Sequence, residues 1–113
     1  MTTDAVAVYL VLDAVDLRGA FDRLAAVTRQ VLCLDPSSGA LFLFLNRRRN
    51  RLKALWWDRN GYVILYKRLA RGTFPVPAVD PGCACVEISA KDFARLLAAL
   101  PIDLGSVQPR IIH

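Results

Sequence analysis

The sequence has little of the chemistry on which catalytic and metal sites depend. Its only histidine is the last residue, His113, and its three cysteines, Cys33, Cys83 and Cys85, lack the spacing of structural zinc sites. The ten acidic residues are scattered rather than clustered, and no glycine-rich phosphate loop is present. The sequence therefore predicts a protein that is not an enzyme and that binds neither a metal nor a cofactor.

Long hydrophobic runs are also absent. The longest unbroken apolar run, residues 5–12, is shorter than the roughly 20 residues that a membrane-spanning helix needs. It also lacks the basic flank and the cleavage site of a secretory signal. Three cysteines cannot all pair within one chain, so we expect a cytoplasmic protein. A chain of 113 residues, 55% of them hydrophobic, suits one globular domain spanning residues 1–113.

The apolar pattern predicts two helices among several strands. Apolar residues three and four apart between Leu17 and Leu32 indicate a first helix, with Asp16 as its N-cap. A second helix is predicted from Ser89 to Pro101, and a loosely held tail after Gly105. Strand-like runs lie at residues 5–12, 40–45, 52–57, 62–69 and 85–88. This order predicts an α+β fold, with a mostly antiparallel sheet of four to five strands and two helices packed on one face.

The dipeptide Asn60-Gly61 predicts a two-residue β-hairpin loop, which would place Lys53 opposite Arg68. Because side chains alternate along a strand, one face of this hairpin carries mainly apolar residues, including Trp56, which we expect to be largely buried against a helix. We expect Trp57 on the opposite face, beside Leu55 and Tyr66. That face mixes aromatic rings with cations and would hold two like charges next to each other.

Positive charge is concentrated in one part of the chain. Residues 47–71 contain nine basic residues and one acidic residue, a net charge of +8, whereas the rest of the chain is net acidic. Such a local field attracts polyanions, which makes these residues candidates for contact with nucleic acid. The candidate nucleic-acid-binding residues are Arg47, Arg48, Arg49, Arg51, Lys53, Trp57, Tyr66, Lys67, Arg68 and Arg71. The alternative is a solvated or protein-binding face, with Trp57 and Tyr66 in a second apolar layer.

Several sequence blocks carry a resemblance to a known family. They are Asp16-Leu17-Arg18-Gly19, Asp35-Pro36-Ser37-Ser38-Gly39, Leu52-Lys53-Ala54-Leu55-Trp56-Trp57-Asp58 and Tyr66-Lys67-Arg68-Leu69. Together they resemble the accessory protein of the insertion sequence sixty-six transposon family, over about residues 8–100. The chain departs from that pattern at Ser37 and Ala40, where the family commonly has phenylalanine and histidine. Residues 46–50 also lack the glycines usual in that loop.

The resemblance implies a bacterial mobile-element protein that is encoded beside a transposase and supports transposition without performing strand transfer itself. We expect it to bind DNA non-specifically through the basic, aromatic hairpin face, together with the transposase and without contact with a membrane. Alternatives are an adaptor that docks this face on the transposase without binding DNA and, more remotely, a metal-dependent nuclease. The sequence leaves open the DNA site and whether copies of the chain assemble into a homo-oligomer.

Overall fold

Six strands and two helices are present in the computed structural model, which describes residues 6–19, 21–76, 82–102 and 108–111. In chain order they are β1 (Val8–Val11), α1 (Phe21–Gln30), β2 (Leu41–Leu45), β3 (Arg51–Asp58), β4 (Gly61–Arg68), β5 (Cys83–Ile88), α2 (Ala90–Leu97) and β6 (Gln108–Ile111). The strands form one sheet in the order β4-β3-β2-β1-β5-β6. Strands β1 and β2 run parallel, and every other neighbouring pair is antiparallel.

This architecture confirms the predicted α+β class, with a mostly antiparallel sheet and two helices. The number of strands in the described residues is six rather than four to five, because the backbone of β6 pairs with β5. This strand lies in the segment after Gly105 that we predicted to be loosely held. The short strand predicted at residues 85–88 also begins earlier, at Cys83.

The two helices lie on opposite faces of the sheet, which corrects the prediction that both pack on one face. Leu24 of α1 packs in a core that contains Phe42 and Phe44 of β2. Leu96 of α2 packs in a second core on the other face, with Leu43 of the same strand. The physical reason is that β2 is apolar along its whole length, so both of its faces must be covered. A single helical layer would leave one of these faces exposed to water.

Helix α1 is shorter than predicted and begins at Phe21, so Asp16 is not its N-cap. Within the predicted apolar stripe Leu24, Ala25 and Thr28 are buried, but Phe21 and Val31 remain 43% and 48% exposed.

For α2 the predicted start is confirmed. The Ser89 side chain accepts a hydrogen bond of 3.0 Å from the Asp92 backbone N–H, which satisfies one free donor at the helix terminus.

The β3–β4 hairpin has a different loop from the predicted one. Asp58 pairs with Gly61 and Trp57 pairs with Tyr62, so the two loop residues are Arg59 and Asn60. The positive φ falls on Arg59, at 55°. This displaces each pairing by two positions along one strand, which preserves the predicted faces but changes the partner of every side chain.

This register predicts opposite effects of glycine at the two loop positions. Arg59→Gly is expected to stabilise the protein by about 0.5–1 kcal/mol, because relief of the left-handed conformation outweighs the entropy lost by glycine. Asn60→Gly gains no such relief and is expected to destabilise it by about the same amount. Urea unfolding of both variants measures the two changes. The reverse order of stability would indicate that Asn60-Gly61 forms the loop.

Candidate nucleic-acid interface

An open groove of about 650 Å³ lies where the chain segment before α1 meets the β2–β3 loop and the adjoining face of β3 and β4. We call it the basic groove, and it is lined by residues 14–18, 46–48, 50, 51, 53 and 66. Its lining includes five basic side chains, those of Arg18, Arg47, Arg48, Arg51 and Lys53, and the single carboxylate of Asp16. Segments far apart in the sequence therefore bring positive charge to one concave surface.

The β2–β3 loop is shaped by the side chain of Asn46. Its Oδ1 accepts hydrogen bonds from the backbone N–H groups of Asn50, at 3.1 Å, and Arg51, at 2.9 Å. Its Nδ2 donates to Oδ1 of Asn50 at 2.7 Å. These contacts satisfy the polar groups at the turn, while Arg47 and Arg48 remain exposed. The loop thus presents two guanidinium groups from an ordered backbone.

The same loop is also attached to the core on the α2 face. The Arg49 carbonyl accepts a hydrogen bond of 2.7 Å from the backbone N–H of Phe74, which is 1% exposed. The Asn50 carbonyl accepts one of 2.8 Å from Leu69 N–H. Arg49 adopts a φ of 57°, a conformation that favours glycine, within the segment that lacks the glycines expected from the family resemblance. Residues 69–74 therefore attach the β2–β3 loop to the α2 face of the sheet.

Lys53 has a structural contact that the sequence did not indicate. Its ammonium group donates hydrogen bonds to the backbone carbonyls of Leu17 and, at 3.3 Å, Gly19. It also lies 5.3 Å from the centroid of the Tyr66 ring, its cross-strand partner. Lys53 therefore holds the segment before α1 against β3. The predicted repulsion between Lys53 and Arg68 is wrong, since the like-charged pair in register is Arg51 and Arg68, both exposed.

Asp16 is neutralised by neighbouring guanidinium groups. Its carboxylate accepts hydrogen bonds from the Arg18 side chain, the shortest at 2.8 Å, and lies 3.9 Å from the Arg23 guanidinium. The side-chain and backbone hydrogen bonds from Arg18 hold the pKa of Asp16 well below its usual range. The carboxylate therefore remains ionised and paired, and the unpaired charge of the groove comes from its loop arginines and from Arg51.

The structure gathers only part of the predicted site. Arg47, Arg48, Arg51, Lys53 and Tyr66 line the basic groove, whereas Arg49, Trp57, Lys67, Arg68 and Arg71 do not. The Lys67 ammonium instead donates a hydrogen bond to the Leu97 carbonyl at the end of α2. The groove adds Arg18, which the sequence reasoning missed. The block Asp16-Leu17-Arg18-Gly19, one of those that carry the family resemblance, was the available signal.

The two tryptophans lie on opposite faces, as predicted. Trp56 packs against the core that contains Leu96 of α2, but it is half-buried rather than largely buried. Trp57 contacts Tyr62 edge-on, with ring centroids 5.0 Å apart. Its aromatic partner is therefore not Tyr66, which lies farther along the hairpin opposite Lys53. The aromatic rings of this face form two separate groups.

The potential metal ligands of the described residues do not cluster. Among them, no group of three or more His, Cys, Asp or Glu side chains could hold a metal ion. Cys85 is buried, Cys83 is half-buried and Cys33 is exposed. Within the same residues, no helix combines the length and hydrophobicity needed to cross a membrane.

Replacing Lys53 tests its structural role. Lys53→Met is expected to reduce the free energy of unfolding by about 1–3 kcal/mol, because the Leu17 and Gly19 carbonyls lose a charged donor. Arg68→Met, which removes one member of the Arg51–Arg68 pair, is the matched control and should change stability by less than about 0.5 kcal/mol. Urea unfolding measures both. Equal effects of the two substitutions would contradict the proposed role of Lys53.

The Asp16 contact predicts a specific pH dependence. Because folding lowers the pKa of Asp16, its carboxylate stabilises the folded state above about pH 4 and loses that contribution as the pH falls. Asp16→Asn should therefore be less stable than wild type near neutral pH, and the difference should narrow below about pH 4. Urea unfolding across this range tests the trend. The exposed Asp13→Asn variant controls for loss of one negative charge, and a parallel narrowing there would contradict the assignment.

Comparisons with known proteins agree with the family resemblance of the sequence blocks. The family described as IS66 Orf2-like protein matches residues 6–106. An uncharacterized protein of Sinorhizobium fredii, y4hO, is 35% identical over 95 residues, covering 84% of this chain and 81% of the relative. A second uncharacterized protein of that organism, y4jC, is 34% identical over 86 residues, covering 76% and 72%. No solved structure matches the chain. The chain therefore belongs to the IS66 Orf2-like family, a family of insertion-sequence accessory proteins.

Proposed function

We propose that this protein supports DNA transposition as a non-enzymatic accessory factor that binds the phosphate backbone of DNA through the basic groove, together with the transposase. The observation that carries this proposal is the convergence of five basic side chains on one concave surface whose carboxylate is already paired. Family membership supplies the context of transposition, and the charge distribution suggests the polyanion.

The geometry favours contacts that position a backbone rather than contacts that recognise bases. Arg47 and Arg48 are exposed on a loop whose backbone is held by hydrogen bonds, and Arg51 follows at the start of β3. Guanidinium groups bind phosphate oxygens in a planar, two-pronged arrangement and suit this task. The exposed Arg68, the cross-strand partner of Arg51, would extend the contact. Such binding carries no sequence information by itself.

The same surface would suit an acidic region of the transposase, which is the second candidate function. The partly buried Lys53, whose ammonium is already bonded to two carbonyls, and the exposed Tyr66 give the groove both polar and apolar contact area. An adaptor of this kind needs no DNA contact. The two candidates differ in whether purified protein binds DNA on its own, and this difference can be measured directly.

Salt dependence is the decisive measurement. Each phosphate neutralised on duplex DNA releases counterions, so log affinity should fall by about 0.9 per contact for each unit of log salt. With roughly three to five contacts, the expected slope is about −3 to −5. Changing Arg47 and Arg48 together to alanine should reduce its magnitude by about two units and weaken binding to all sequences alike.

The matched control removes the same charge elsewhere. Arg29, in the last turn of α1, and Arg59, in the hairpin loop, are exposed and do not line the groove. Their double alanine variant should retain most of the wild-type slope. If both double variants lose binding equally, net charge rather than the groove explains the affinity. If wild type shows no salt-sensitive DNA binding but captures the transposase through Arg47 and Arg48, the adaptor function replaces the proposed one.

A further inference from the structure

Tyr66 is an aromatic side chain displayed to solvent inside a basic groove. It retains 51% of its accessible surface although it lies in the interior of the β3–β4 hairpin. Its ring is held near Lys53, whose ammonium lies 5.3 Å from the ring centroid and is itself hydrogen-bonded to the Leu17 and Gly19 carbonyls. The ring is therefore positioned by a fixed neighbour, and about half of its surface remains accessible to a ligand.

The surroundings of this ring suit an unpaired base. In a DNA duplex the bases are stacked on one another and present only their edges in the grooves, so no base face is available to an aromatic side chain. The basic groove has a volume of about 650 Å³, which is within the range of clefts that bind small organic groups, roughly 300–1,000 Å³. A base extending from a single strand could enter such a space, whereas a base pair within a duplex could not present its face there.

The combination of an aromatic surface with nearby cations is typical of proteins that bind single strands. Such proteins place phosphates along a positively charged groove and stack successive bases on aromatic rings. Here Arg47, Arg48 and Arg51 line the same groove as Tyr66. We propose that the basic groove binds single-stranded DNA, with an unpaired base stacked on Tyr66 and the adjoining phosphates held by these arginines. This inference rests on the proposed DNA binding and specifies the form of DNA.

The extent of the aromatic surface limits the contact to a short stretch. Trp57 is on the same face of the hairpin but lies four residues from Lys53 along β3, a separation of about 13 Å. It is half-buried and already in edge contact with Tyr62. Tyr66 is therefore the stacking residue of the groove. Because stacking uses the face that every base has, this site should accept different base sequences.

The test compares three DNA probes by fluorescence anisotropy at one salt concentration. The probes are a single-stranded oligonucleotide, the duplex of the same sequence, and an abasic chain of equal length that keeps the phosphates but has no bases. Wild-type protein should bind the single strand most tightly. Tyr66→Ala should weaken binding to the single strand by at least about five-fold, and it should leave binding to the abasic chain nearly unchanged.

Two further variants separate stacking from a general loss of structure. Tyr66→Phe retains the ring and should bind the single strand about as tightly as wild type. Leu65→Ala truncates the neighbouring, 38% exposed side chain on the other face of β4 and should not change the preference among probes. Urea unfolding of each variant verifies that the comparison is made between folded proteins.

The outcomes distinguish this inference from the proposed function. Wild-type protein that binds duplex as tightly as the single strand would overturn the inference while retaining DNA binding through the groove. The same conclusion follows if Tyr66→Ala weakens binding to the abasic chain as much as to the base-bearing strand. Failure of all three probes to bind at low salt would overturn the proposed function itself.

Discussion

The contact between Lys53 and the carbonyls of Leu17 and Gly19 is the interaction on which the candidate site depends. It joins the segment before α1 to the middle of β3 and so forms one wall of the basic groove. The carbonyls belong to a stretch that precedes the helix and need a donor, and a charged donor satisfies them well. Together with the hydrogen bond of 2.9 Å from the Val15 N–H to the Leu45 carbonyl, this contact holds Asp16 and Arg18 beside the β2–β3 loop.

Lys53 and Lys67, the two lysines within the basic residues 47–71, have the same structural role. Lys67 on the opposite face of the hairpin donates to the Leu97 carbonyl at the end of α2, as Lys53 does to the segment before α1. The loop arginines, by contrast, remain exposed. The net charge of residues 47–71 therefore overstates the number of cations available to a partner, because both lysines already donate hydrogen bonds to backbone carbonyls.

The β2–β3 loop, which lines the groove, is also attached to the core on the α2 face of the sheet. Phe74, buried on the α2 face, bonds to the Arg49 carbonyl, and Asn46 bonds to the backbone on the other side of the same loop. The loop is thus hydrogen-bonded internally and connected to the core on the α2 face of the sheet. For an accessory protein of an insertion sequence, this arrangement provides a cationic surface on an ordered backbone.

Structural elements with local signals could be predicted from the sequence alone. Strand and helix periods predicted most of the secondary structure, Ser89 marked the start of α2, and the alternation of side chains correctly assigned the faces of the hairpin. Sequence blocks also identified the family. The hairpin partners could not be read from the sequence, since the loop residues are Arg59 and Asn60 rather than Asn60 and Gly61. Only the tertiary structure decided which cations meet: Arg18 joins the loop arginines, and Lys53 is engaged by carbonyls more than thirty residues away. Such long-range contacts depend on how α1 covers the sheet, and no local pattern of residues records that arrangement.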